Sequence, residues 1–232
     1  MEVLWLEQSL ADVSGDDLWL SESERLRCNS LRVPKRRADW RLGRWTAKHA
    51  VASYLEIPHS FAALATIEIR SHPSGAPEVY SNDRPARVCV SISHSAGVAA
   101  CAVCRAGIAV GCDLEHVEPR DPAFTADYFT TDEQELISRV GESERDFLTT
   151  LLWSTKESAL KTLGTGLRLD TRCVAGKIGK GASSIADAWA PLCVCCPDDQ
   201  VLLGWWRCSA KLVRSIVTDP SSAPPIVLYM SS

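Results

Sequence analysis

Apolar residues along this chain recur with two periods, and the alternation between them sets out its elements. Val3-Leu-Trp-Leu6 is short and apolar, and predicts a first strand. Ser21 and Glu24 have the spacing of a capping box and open a short helix running to about Leu31. From Pro34 to Leu55 the residues Ala38, Leu42, Trp45, His49 and Ala52 recur at three- and four-residue steps. That is the apolar stripe of an amphipathic helix, with Pro34 in the first turn, where its missing N–H is no loss.

After Pro58 the period shortens to two. Thr66 to Arg70 and Val88 to Ser93 read as strands, with a loop from Ser71 to Pro77. Val98 to Cys104 and Ile108 to Asp113 predict a hairpin around Arg105-Ala-Gly107. Beyond Pro119 the helical period returns, first in a short helix from Phe124 to Phe129. Thr131 to Gln134 then has capping-box spacing, and Glu144 to Leu163 predicts a long helix stopped by Gly164 and Gly166. Strands around Val201–Arg207, Lys211–Thr218 and Ile226–Met230 follow, with Gly- and Ser-rich loops between. A helix followed by strands thus occurs twice. The expected fold is α+β, with two similar lobes, residues 1–113 and 114–232, each a small, mostly antiparallel sheet packed with helices.

Composition narrows the function only by exclusion. A net charge of −4 gives no global attraction to nucleic acid or to a membrane surface, so any hold on phosphate must come from local clusters. Val98 to Cys112, the longest apolar stretch, contains Arg105 and falls short of the ~20 residues that span a bilayer. The start of the chain lacks the basic and apolar regions of a secretory signal, so the expected location is cytoplasmic. Ten cysteines invite a zinc or disulfide reading. Cys101 and Cys104 fall on opposite faces of a predicted strand, however, and no histidine stands near Cys193, Cys195 and Cys196, so these read as small buried apolar residues.

Two charged patterns carry candidate chemistry. Asp113 and Glu115 alternate at the end of an apolar strand, so they share a face about 6.5–7 Å apart. Glu157 and Lys161 form an i,i+4 pair on the long helix, a turn beyond Trp153. Taken singly, such charges are ordinary surface decoration. Together, three carboxylates on two rigid elements with lysines beside the third are suited to a hard divalent cation and an anionic phosphate. On the earlier helix Arg37, Arg41, Arg44 and Lys48 lie along one line without interleaved acids. They predict either a solvated basic face or one that an anion covers. Ser93-His94 lacks the Gly-x-Ser-x-Gly elbow of a serine hydrolase.

Three segments resemble one family in order and separation: Val90-Ser-Ile-Ser-His-Ser95-Ala-Gly, Val110-Gly-Cys-Asp-Leu-Glu115, and Phe129–Glu135 followed by Leu152-Trp-Ser-Thr-Lys-Glu-Ser-Ala-Leu-Lys161. Together with Leu42-Gly-Arg44 and Lys48 they are similar to the signature blocks of the two-lobed, surfactin-type (Sfp-type) 4′-phosphopantetheinyl transferases. The resemblance implies two lobes related by a pseudo-twofold, with coenzyme A in the cleft between them. It implies transfer of the phosphopantetheine arm to a serine of an apo acyl or peptidyl carrier protein of fatty-acid, polyketide or nonribosomal-peptide assembly, with release of adenosine 3′,5′-bisphosphate. Carried over by position, Asp113, Glu115 and Glu157 would hold Mg²⁺, or Mn²⁺, and Asp113, Glu157 and Lys161 would form the catalytic group. Glu157 would act as base and Lys161 would assist the leaving phosphate. Ser93, His94, Arg37, Arg44, Lys48, Lys156 and Lys161 would contact coenzyme A. Where the family carries a loop lysine, this chain has Ala76, leaving Arg70, Arg84 and Arg87 as candidates for the missing charge. The competing expectations are a coenzyme A or nucleotide binding protein without transferase activity and a metal-dependent pyrophosphate hydrolase. Neither nucleic acid nor membrane is an expected partner, and the expected state is a monomer.

Overall fold

The computed structural model describes residues 2–179 and 186–230, arranged as two compact units. One comprises Glu2–Ile108 and the segment from Pro225, and the other is Ala109–Pro224.

In the first unit, β1 (Leu4–Ser9) is followed by α1 (Glu22–Ser30), the 21-residue α2 (Pro34–Tyr54) and α3 (Phe61–Ala65). Then come β2 (Ile67–Ser71), β3 (Pro77–Ser81), β4 (Arg84–Pro85), β5 (Val88–Ser95) and β6 (Val98–Arg105). The second unit holds β7 (Ala109–His116), α4 (Pro122–Tyr128), α5 (Thr131–Arg139), the 21-residue α6 (Glu142–Thr162), β8 (Ala175–Ile178), β9 (Ala186–Cys195), β10 (Val201–Ser209) and β11 (Leu212–Asp219). Last in the chain, β12 (Ile226–Leu228) belongs to the first unit.

The first unit has a four-stranded sheet in the order β12-β1-β6-β5 and a three-stranded sheet β2-β3-β4. The second has one five-stranded sheet in the order β7-β11-β10-β9-β8. All ladders are antiparallel except β1 with β12, where Leu4 is opposite Ile226 and Trp5 opposite Val227. The mixed α+β expectation therefore holds.

In each unit a long helix covers the sheet. The apolar stripe of α2 buries Trp45, Ala47 and Val51 against Leu6, Val90 and Val103. On α6, Leu151, Ala159 and Leu160 pack with Val174, Trp206 and Val217. Area removed from water at ~25 cal/mol per Å² stabilises both units non-directionally. Directional features then fix which turn of each helix meets which strand.

Two local expectations are corrected. The strand from residue 109 is no hairpin partner of β6: it pairs with β11 along its full length, Val110 opposite Thr218 and Asp113 opposite Ser215. Residues 113 and 114, between which the sequence divides the lobes, both lie within this strand. The second capping box is set by Thr130 and Glu133, not Thr131 and Gln134. The Trp- and Pro-containing stretch before Cys196 forms strand β9. The Gly- and Ser-rich stretch 180–185 lies outside the described residues. Among the described residues no helix is long and apolar enough to cross a membrane.

Candidate functional site

Gly111 makes the site in the second unit possible. A β-carbon there would collide with the Ser158 carbonyl oxygen and lie 2.6 Å from the Thr162 amide nitrogen, so α6 rests directly on the backbone of β7. Small polar residues hold it there. The Ser215 hydroxyl on β11 lies 2.7 Å from both the Ser154 and Ser158 hydroxyls and donates to the Ser154 carbonyl at 2.8 Å. Thr162 donates its hydroxyl to the Val217 carbonyl at 3.0 Å. These buried hydroxyls are paired, so their burial avoids the cost of ~1–3 kcal/mol for an unsatisfied group.

With the helix seated on its Ser158–Thr162 face, the Glu157–Lys161 face turns toward the end of β7. Lys161 Nζ donates to Asp113 Oδ1 at 2.8 Å and to the Cys112 carbonyl at 2.9 Å. Asp113 is buried, while the Lys161 side chain retains 28% of its exposure. Glu115, two residues along the strand on the same face, is ion-paired with Arg120 at 3.2 Å. The Arg120 guanidinium lies 5.2 Å from the Phe124 ring centroid. Phe124 and Tyr128 in turn pack edge-on against Trp153, with centroids 5.0 and 5.2 Å away.

The electrostatics reflect a surplus of carboxylates. Burial, and then the charge of Asp113, push the Glu115 carboxyl up to about 7, against the charge of Arg120 and hydrogen bonds from Trp153 and Arg120. Burial and Asp113 also raise Glu157, and Lys161 partly offsets them. Burial works against the Lys161 ammonium, but Asp113, and more weakly Glu157, outweigh it and hold the pKa above the usual lysine value. One face thus combines hard oxygen donors with an ammonium that stays charged.

Among the described residues no three His, Cys, Asp or Glu side chains are gathered closely enough to hold a metal ion by themselves. The donor set nonetheless fits Mg²⁺. This ion is commonly held by one or two carboxylates, with water and substrate phosphate supplying the remaining oxygens. Among the described residues no cysteine is in a disulfide, and Cys28, Cys101, Cys104, Cys112, Cys196 and Cys208 are buried.

The charged residues expected to meet coenzyme A behave differently. On α2 the basic line is matched by acids that come from outside the helix. Arg37 lies 3.6 Å from Asp17, and Arg41 lies 2.9 Å from the same carboxylate while donating to the Ser14 and Asp16 carbonyls. Arg44 is 4.0 Å from Glu24 and lies over the Trp40 ring at 5.0 Å. Lys48 is fully buried, 2.5 Å from Glu24, and donates to the Trp19 and Leu64 carbonyls. In the second unit Lys156 is likewise fully buried, 2.8 Å from Glu133.

Lys48 and Lys156 are therefore each held in an internal ion pair in this structure. Arg70 is also engaged, by Glu68 at 2.8 Å and Asp83 at 2.9 Å, whereas Arg84 and Arg87 are exposed. Ser93 and His94 end strand β5. His94 is exposed and lines an open pocket of about 400 Å³ with Lys35, Arg36, Asp39 and Trp40. Lys35 and Arg36 were not singled out by sequence pattern, although they stand in the basic run after Pro34.

Residues 109–184, less than half of the chain, match the sequence model of the 4′-phosphopantetheinyl transferase superfamily, and this segment contains Asp113, Glu115, Glu157 and Lys161. No curated protein matches the chain at a significant level. Similar solved structures include the holo-[acyl-carrier-protein] synthase of Helicobacter pylori in complex with coenzyme A, with 20% identity over 45% of this chain and 99% of that one and a TM-score of 0.36. A holo-(acyl-carrier-protein) synthase from Bacillus anthracis in complex with CoA (3′,5′-ADP) is 24% identical over 44% of this chain and 92% of that one, with a TM-score of 0.37.

Proposed function

We propose that this chain is an Sfp-type 4′-phosphopantetheinyl transferase. It moves the phosphopantetheine arm of coenzyme A to a serine of an apo acyl or peptidyl carrier protein and releases adenosine 3′,5′-bisphosphate. One observation carries the proposal: within the segment that matches the superfamily, Lys161 joins Asp113 of β7 at 2.8 Å on the helix that bears Glu157. The repeated order of a capped short helix, a long helix and antiparallel strands supports reading the chain as two similar lobes.

Glu157 takes the proton of the incoming serine hydroxyl on its carboxylate, and the serine oxygen forms a bond to the phosphorus bearing the pantetheine arm. The pyrophosphate P–O bond to the adenosine phosphate breaks as that bond forms. Lys161, kept charged by Asp113, stabilises the departing phosphate and supplies its proton if one is needed. Asp113, Glu115 and Glu157 would hold Mg²⁺, which when bound neutralises charge spread over the pyrophosphate oxygens. Such transfers depend chiefly on positioning and charge stabilisation, while a placed base adds ~10²–10⁴ in rate. His94 and Ser93, with Lys35 and Arg36 nearby, would contact the adenosine phosphates.

The test is the intact mass of an apo carrier protein incubated with this protein, coenzyme A and Mg²⁺, beside Glu157→Gln and a metal-free control. A gain of one phosphopantetheine group only with wild type and metal supports the proposal. Coenzyme A bound without any gain across a panel of carriers would favour a binding protein. Cleaved coenzyme A with an unmodified carrier would favour a hydrolase.

A further inference from the structure

Lys156 stands beside Glu157, yet its ammonium is fully committed inside the protein. It contacts Glu133 Oε2 at 2.8 Å and donates to the Thr171 carbonyl at 2.9 Å and the Val174 carbonyl at 2.5 Å. An ammonium has three donors, and all three are used. The same Glu133 oxygen accepts from the Thr130 amide and hydroxyl, at 2.9 and 3.0 Å, at the start of α5. Its other oxygen accepts the Gly176 amide of β8 at 3.0 Å. A β-carbon on Gly176 would lie 3.2 Å from Thr155 Cγ2 and 3.3 Å from Leu152 Cδ2, so β8 also presses on α6 in the turn that carries Lys156. One carboxylate therefore ties the start of α5, strand β8 and helix α6 together, and Phe129 closes over the lysine at 5.5 Å.

The first unit contains the same device. Glu24 occupies the equivalent capping position of α1 and accepts the Ser21 amide at 3.1 Å. Its other oxygen accepts the Ile69 amide of β2, also at 3.1 Å. Lys48 of α2 pairs with it, donates to two carbonyls and lies 5.8 Å from the Trp19 ring. There the next residue is His49 instead of a carboxylate. The device thus recurs where the residue after the lysine is not a carboxylate.

We infer that the Glu133–Lys156 pair is a positioning element: it fixes the rotation and height of α6, and so aims Glu157 and Lys161, without touching coenzyme A. This rests on the transferase function proposed above. Truncating the lysine leaves a carboxylate buried without its partner and frees the helix to shift. The neutral pair Glu133→Gln with Lys156→Met removes both charges; the glutamine oxygen can still accept from Thr130, while its NH2 cannot accept from Gly176.

The experiment measures kcat and KM for coenzyme A with an apo carrier and Mg²⁺, together with hydrogen exchange along α6. It compares wild type, Lys156→Met and the double variant. Lys156→Met is expected to lower kcat about ten-fold or more, as a misplaced reacting group does, with KM for coenzyme A held within about two-fold and faster exchange over residues 153–161. The double variant, which leaves no unpaired buried charge, is expected to regain part of the slow exchange and of kcat, and it carries the test if Lys156→Met does not fold. A rise of about ten-fold or more in KM in either variant at unchanged kcat would make Lys156 a phosphate contact and overturn the inference. Slow exchange without recovered kcat in the double variant would overturn it too. If wild type transfers nothing, the proposed function fails, and exchange alone decides the anchor: unchanged α6 protection in the variants sinks it.

Discussion

Gly111 on β7 leaves no room for a side chain beneath the Ser158 carbonyl of α6. That single contact sets how near Glu157 and Lys161 can come to Asp113. Gly111→Ala must push the helix outward, since the obstructing atoms are backbone. Overpacking of this kind costs about 1–3 kcal/mol, occasionally more. The expected result is a lower melting temperature with a loss of transfer larger than the loss of folded protein, checked by thermal unfolding alongside the carrier mass assay. Wild-type activity in a folded Gly111→Ala protein would refute the close-packing account.

Glu157→Gln keeps the shape of the side chain and removes the base. Transfer is expected to slow ~10²–10⁴-fold with little change in coenzyme A affinity. Single-turnover kinetics with saturating coenzyme A separates the two quantities. A large loss of affinity at an unchanged chemical step would reassign Glu157 to binding.

Lys48→Met is expected to leave coenzyme A affinity unchanged, because the ammonium faces Glu24 and two carbonyls inside the first unit. Breaking a buried pair from one side costs on the order of 3–5 kcal/mol, so the loss should appear in chemical denaturation instead. Arg36→Glu, on the pocket lined by His94, is expected to do the reverse and weaken coenzyme A binding in calorimetry without destabilising the fold.

His49 supplies a pH dependence unrelated to the chemistry. It is buried against Trp45, and its Nδ1 lies 2.8 Å from His59 Nδ1, an arrangement in which one ring donates and the other accepts. Ser53 meets the other nitrogen of His59 at 3.3 Å. Burial first, and His59 second, depress His49 from 6.5 to about 4. A histidine depressed in the folded state stabilises the protein above its unfolded pKa, and that contribution is lost as pH falls from 6.5 toward 4. At about 1.36 kcal/mol per pKa unit the full effect is on the order of 3 kcal/mol. Denaturant unfolding at pH 7, 5.5 and 4.5 should show a steeper decline for wild type than for His49→Gln. Parallel curves would remove His49 from the account.

Local signals in the chain were legible. The apolar stripe of α2, the long α6 with its Glu157–Lys161 face and the Ser21–Glu24 cap all appear where spacing places them. What spacing cannot carry is the identity of partners distant in sequence. The basic line of α2 reads as uncompensated because Asp17 and Glu24 approach from outside the helix. Strand β7 reads as half of a hairpin because its partner, β11, comes so much later. The second cap slips by one residue because Thr130 and Thr131 are both competent caps, each followed three residues on by Glu or Gln. Only the reach of Glu133 to Gly176 and Lys156 distinguishes them.

Strand β12 has a consequence for synthesis. Leu4, Trp5 and Leu6 find their outer neighbours in Ile226, Val227 and Leu228, so the first unit's sheet is bordered by residues that follow the whole second unit in the chain. The second unit, Ala109–Pro224, is one continuous stretch and has all its strands before that border is available. The first unit's sheet is thus completed only after every strand of the second unit has been made. Until then, β1 presents an open edge of N–H and C=O groups, the kind of template on which nascent chains aggregate.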